Sequence, residues 1–292
     1  MRKSLAFAGA VGAVVCAAPA AARELVSFDS AKLILTNGIT TIEGSGGGGL
    51  ATWATISGMG TDRAVGISAH ATLVELPDYR LDTHGIAIGI RDRVELAYAR
   101  QNFNTRAVGA ALGLGRGFQF NQDIFSAKVR LVGDLVYGPG WLPQISVGVE
   151  HKRNLDGAVV RAVGAKASAG TDFTVSATKL FLGASVLANA TLRVTKANQF
   201  GLLGFGGDKH AGRSVQFEGS LAYMLSRRLV VGGEWRTRPD NLGIAREDDA
   251  KDLFVAWAAG RHVTVTAAYV DVGSVATFKN QRGGLLQLQV AY

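Results

Sequence analysis

Ser68 and His70 are the pair in this sequence best suited to hydrolysis, a hydroxyl nucleophile with an imidazole two residues on. Two positions apart on a strand, both side chains leave the same face. The same spacing suits two polar residues lining an interior, where serine and histidine are ordinary, so no catalytic residue is assigned and an enzyme is not expected. Asp248 and Asp249, preceded by Glu247, offer adjacent carboxylates that could bind a divalent cation or activate water. Adjacent carboxylates are more often a solvated acidic loop. His84, His151, His210 and His262 are scattered without ligand spacing, so no metal and no cofactor are expected.

The other residues with chemical capacity are charges in alternating segments. Lys128 and Arg130 share a face with Ser126, opposite Phe125, Ala127, Val129 and Leu131. Glu150, Arg193, Glu218, Glu234 and Arg236 stand likewise opposite apolar partners. With Ser68 and His70 these are candidate lumen residues of a barrel whose apolar face points outward. Rings of charge in an open lumen set ion preference. Opposite charges can instead pair and fill the lumen, or a plug or inward-folded loop can close it. Both an open channel for small or hydrophobic solutes and a closed structural barrel fit the pattern.

The elements that must position these residues have period two. Strands are predicted at Leu50–Ser57, Ala64–Glu75, Thr83–Ile90, Arg93–Gln101, Ile124–Asp134, Gln144–His151, Asp172–Phe181, Val186–Lys196, Ser214–Met224, Leu229–Thr237, Asp252–Ala258, Val263–Asp271 and Gly283–Tyr292. Short turns, as at Arg91-Asp92, alternate with long polar segments at 102–123, 153–171, 197–213, 238–250 and 272–282. Within the first of these, Ala107–Leu114 has the pattern to extend a strand. Short turns on one side and long loops on the other are the rhythm of a transmembrane antiparallel β-barrel. Fourteen strands are predicted, with Ala31–Glu43 as the first, and twelve as the alternative count. Ala31–Glu43 is interrupted at Asn37-Gly38, so a kinked strand or a segment lying in the lumen also fits it. Gly44–Gly49 reads as a flexible loop.

The last strand sets the orientation. Leu286, Leu288, Val290 and Tyr292 share one face, and an aromatic C-terminus of this kind is the assembly signal of exported barrels. A barrel leaves no open edge in lipid, so this strand must pair with the first. Tyr98, Tyr223, Trp235, Trp257 and Tyr269 fall near strand ends, where aromatic girdles sit. Residues 1–22 read as a secretory leader, with Arg2 and Lys3, an apolar stretch, and Ala20-Ala21-Ala22 before the cleavage point. Residues 23–292 are then the barrel of the outer membrane, with that membrane's lipid and the assembly machinery as partners. The one cysteine, Cys16, lies in the leader, which excludes disulfides from the mature chain. The net charge of +8 is scattered rather than striped, so no nucleic-acid partner is expected.

Several stretches carry a family resemblance. They are Leu33–Gly49, Leu96–Gln101, Thr195–Asp208 (TKANQFGLLGFGGD), Arg238–Gly243 (RPDNLG), Glu247–Asp249 and Ala276–Gly283 (ATFKNQRG). Together they resemble the domain-of-unknown-function 3034 family of proteobacteria. The resemblance implies an outer-membrane β-barrel and transfers no catalytic residue or substrate. Phe200, Phe205 and Asp208 in the glycine-rich stretch, with Asp248 and Asp249, are outer-loop candidates for a constriction or a ligand contact.

Overall fold

The computed structural model describes residues 32–33, 35–36 and 38–292. The predicted leader, and Cys16 with it, lie outside the described residues. Twelve antiparallel strands close into a barrel. They are β1 (Val65–Glu75), β2 (Arg80–Ile90), β3 (Val94–Asn104), β4 (Gln119–Val132), β5 (Gln144–Asn154), β6 (Ala169–Phe181), β7 (Val186–Thr195), β8 (Ser214–Ser226), β9 (Leu229–Arg236), β10 (Ala250–Ala258), β11 (Val263–Asp271) and β12 (Arg282–Ala291). Each pairs with its sequence neighbours, and β12 closes on β1 from Gly284↔Glu75 to Ala291↔Ser68.

The alternation has the expected consequence. Inward positions are buried, while the outward face carries exposed Ile86, Leu96, Val175, Leu192, Leu253 and Leu286. In water such a belt would be a liability; in a bilayer it is the solvated surface. Exposed Phe125, Phe173, Trp235 and Tyr269 ring one end of the belt, and Phe181, Tyr223, Trp257 and Tyr292 the other. The Arg91-Asp92 turn has both residues at positive φ, the conformation that matches the twist of a two-residue hairpin.

Three expectations are corrected. The count is twelve, the alternative, not fourteen, because Leu50–Ser57 is not a wall strand and Ala31–Glu43 is not the closing strand. Every residue from Gly38 to Gly60 is buried inside the barrel. This segment is an irregular hairpin whose only ladder joins Ile39–Thr40 to Gly46–Gly47. Second, Gly44–Gly49 is packed at the centre of the lumen rather than being a flexible loop. Third, Ala107–Leu114 does not extend a strand. Val108–Ala111 forms a helical turn, α1, and β3 and β4 run on either side of it through Asn104 and from Gln119. A second turn, α2 (Gly157–Ala162), lies in the loop after β5.

The hairpin starts and ends at the rim that carries the short turns. Lys32 pairs with Asp92 in the β2–β3 turn at 2.7 Å. At the exit, Met59 N–H donates to the Tyr292 carbonyl, as does Ile67 N–H. The C-terminal residue therefore fastens both the seam and the foot of the plug.

Candidate functional site: the plugged lumen and its outer mouth

A wall residue that points inward needs a partner, and in this barrel the partner is the hairpin. At mid-lumen, Glu43 from the hairpin meets three wall cations, Lys152, Arg193 and Arg236, the last at 2.6 Å. Wall carboxylates complete the layer. Lys152 lies 2.8 Å from Asp172, and Arg193 lies 2.6 Å from Glu150 and also pairs with Glu218. Side chains so deeply buried cost several kcal/mol each to desolvate, so they persist only when paired and hydrogen-bonded. Glu43, Glu150 and Asp172 converge closely enough to hold a cation. The Lys152 ammonium and the Arg193 guanidinium already stand among them, and they supply the positive charge in place of a metal.

Below this layer the hairpin offers its backbone. Lys128 Nζ donates to the carbonyls of Gly46, Trp53 and Thr55 at 2.9, 3.1 and 2.7 Å, and pairs with Glu95 at 3.2 Å. Glu95 accepts from Gly46 N–H and Ser57 N–H, Glu218 from Thr52 N–H, and Glu234 from Leu50 N–H and Ala51 N–H. This is where the glycine run has its use. A β-carbon on Gly46 would sit 2.9 Å from Glu95 Oε2, and one on Gly48 would overlap Glu234 Oε1. Only bare backbone approaches the wall carboxylates this closely.

All nine lumen candidates face inward. Lys128, Glu150, Arg193, Glu218, Glu234 and Arg236 bind the hairpin or its charge layer, as above. Arg130 stands at the short-turn rim, 2.8 Å from Asp92. Ser68 and His70 are buried on the β1 wall, and no hydrogen bond joins them among the described residues. His70 Nε2 has no hydrogen-bond partner there.

Toward the long-loop end the lumen turns apolar. Ile42 and Leu50 of the hairpin pack with Leu81, Phe103, Leu203 and Leu285 in one cluster that fills the barrel's outer half. Phe200, an outer-loop candidate, folds down into this layer. The guanidinium groups of Arg236 and Arg238 both lie over its ring, their carbons 4.7 and 5.0 Å from its centroid. Gln199 and Phe200 both hold positive φ, a conformation that side-chain-bearing residues keep only when packing enforces it. Phe205 is fully buried and bridges Ala167 and Ala197. Asp208 accepts from Gly243 N–H at 2.7 Å. Asp248 accepts from the backbone and hydroxyl of Ser274 at 2.9 and 2.6 Å, and those bonds hold its carboxyl below the usual range. Asp249 accepts from Trp235 Nε1 at 3.0 Å. The acidic residues thus fasten loops to one another and to the girdle.

The sequence reading missed Glu43, Glu95, Lys152 and Asp172. The signal was available: each sits at an inward parity or beside the glycine run.

The family described as protein of unknown function DUF3034 has a profile that matches residues 36–289. No curated protein matches the chain. Among solved structures the chain is similar to KdgM porin, with a TM-score of 0.50 and 8% identity over 77% of this chain and 99% of that one. It is also similar to NanC porin, with a TM-score of 0.48 and 7% identity over 77% and 98%. Outer membrane phospholipase A from Escherichia coli aligns with a TM-score of 0.43 and 9% identity over 81% and 94%. The KdgM likeness is one of fold, a closed outer-membrane β-barrel.

Proposed function

This chain belongs to the DUF3034 family, and from its geometry we propose that it is an outer-membrane barrel closed to water and ions by its own N-terminal segment. It works as a binding barrel at its outer mouth rather than as a diffusion pore, and it catalyses no reaction. The observation that carries this reading is the burial of Gly38–Gly60 inside the strands, with the wall's charges bound to it. A water-filled pore leaves its lumen charges solvated; here they face protein. Residues 1–22 are the leader that exports it, and outer-membrane lipid surrounds its apolar belt.

Planar-bilayer recording tests this. The whole mature protein is expected to give no single-channel steps at any voltage the membrane withstands. A chain starting at Thr61, which lacks the hairpin, is expected to give steps. Steps of equal size from both proteins would overturn the closed-barrel reading.

A further inference from the structure

The outer mouth has a second chemistry, unrelated to the charge layer. Four long-loop-end segments, 76–79, 105–118, 155–168 and 272–281, with Ile244 from the β9–β10 loop, surround a cleft of about 480 Å³. Tyr79, Phe103, Leu114, Phe120, Val159 and Ile244 supply its walls. That volume lies in the range of small-molecule sites.

The lining decides the ligand class. No charged side chain faces the cleft among the described residues. Two of its polar groups are already committed: Tyr79 OH donates to the Val275 carbonyl at 3.2 Å, and Thr105 Oγ1 to the Phe118 carbonyl at 2.8 Å. A charged or hydrogen-bonding ligand would lose its water here and gain little in return. An apolar ligand would cover exposed apolar wall at no such cost. The floor points the same way. Phe103, Leu203 and Val275 form the bottom of the cleft and also line a void of about 50 Å³ directly beneath it. The void ends on Ile42 and Leu50 of the hairpin, and apart from Gln199 and Arg238 its lining is apolar, so a mostly apolar surface runs from the exterior to the plug. Tyr79 stacks on Phe103 with ring centroids 5.0 Å apart, which presents a flat aromatic wall.

We propose that this cleft is a binding site for a small uncharged hydrocarbon-like solute, aromatic or aliphatic, taken from the exterior. The proposal rests on the binding-barrel reading and names its ligand class. Closure of the lumen is read by conductance and occupancy of the cleft by labelling, so either can fail without the other.

The test uses the whole mature protein in lipid nanodiscs and an uncharged aryl diazirine as photoprobe. Labelling is expected to saturate with probe concentration, to map to 105–118, 155–168 and Ile244, and to fall when unlabelled naphthalene competes. The same skeleton bearing a carboxylate is expected to label at least fivefold less. Leu112 and Ile244 are substantially exposed on the cleft rim, so Leu112→Asp and Ile244→Asp leave the barrel able to fold, as unchanged heat-modifiable migration will show. Each is expected to cut labelling at least fivefold, while Ile244→Leu retains it. Labelling that rises linearly with probe and falls only on the lipid-facing strands would overturn the proposal. So would labelling unchanged in both Asp variants.

Discussion

Glu43 is the residue on which the hairpin's fit to the wall turns. It is the hairpin's carboxylate in the charge layer, and Lys152, Arg193 and Arg236 all reach it. Removing one partner of a buried ion pair leaves the other charge desolvated and unmatched, which costs about 3–5 kcal/mol. Glu43→Ala is therefore expected to lower unfolding free energy by that order in urea titrations of the detergent-solubilised barrel, and to admit intermittent conductance steps. Outside the membrane span, Glu247 is the informative titrating group. Burial pushes its carboxyl up to about 7 from 4.5, against the pull of Arg238 and the Gln199 N–H. The native loop then holds a proton that the unfolded chain has released, so stability falls as pH rises from about 4.5 to about 7 and is flat above. The size is at most ~3 kcal/mol. Melting temperatures of wild type and Glu247→Gln across that window check it: the variant's curve is expected to lack the decline.

At the scale of elements, the hairpin is where sequence and structure part. Leu50–Ser57 has the same period-two alternation as a wall strand, because a segment threaded between a charge layer and an apolar layer also presents opposite chemistries on opposite sides. Alternation alone does not say whether the far side is lipid or lumen. The residues just after the glycines make the distinction. Leu50, Trp53 and Ile56 are buried here, whereas a wall strand would show its large residues to lipid. Gly44–Gly49 reads as a flexible loop because the groups its backbone approaches, Glu95 and Glu234, are far away in the chain. Gly48→Val places a branched side chain against the Glu234 carboxylate. It is expected to expel the hairpin while leaving the strands paired, seen as gained conductance with far-ultraviolet circular dichroism unchanged. The outer loops were harder still. Phe200 was recognisable as a candidate, yet its place against two guanidinium groups depends on β9 and the loop after it.

For the whole molecule, the sequence was most informative where one physical rule repeats along every strand. Inward and outward faces, the aromatic girdles, the short-turn and long-loop ends and the role of the last strand all come from alternation and from the rule that lipid tolerates no open edge. The seam was misplaced because closure depends on which early segment alternates without a break, and Ala31–Glu43 is interrupted at Asn37-Gly38. Val65–Glu75 crosses, whereas Thr40 touches the final strand from inside, exchanging hydrogen bonds with Gln287 and donating through Oγ1 to Gln289. Filling the barrel with its own chain is a consequence of the wall charges: with so many inward, the lumen must hold either water or a segment that answers most of them, Asp252 being the buried carboxylate that the hairpin leaves without a hydrogen-bond partner.

Solvent access to the hairpin tests that account most directly. Ser45 is buried beside Glu150 at the centre of the lumen, and Arg116 is exposed on the outer loop after α1. With Cys16 replaced by alanine, Ser45→Cys and Arg116→Cys each introduce a single thiol. A sulfonated maleimide added to the folded proteins is expected to modify Arg116→Cys within minutes and to leave Ser45→Cys unmodified until the barrel is unfolded by heat. Equal rates of modification at the two positions in the folded barrel would contradict the account, because they would place water where the hairpin is described.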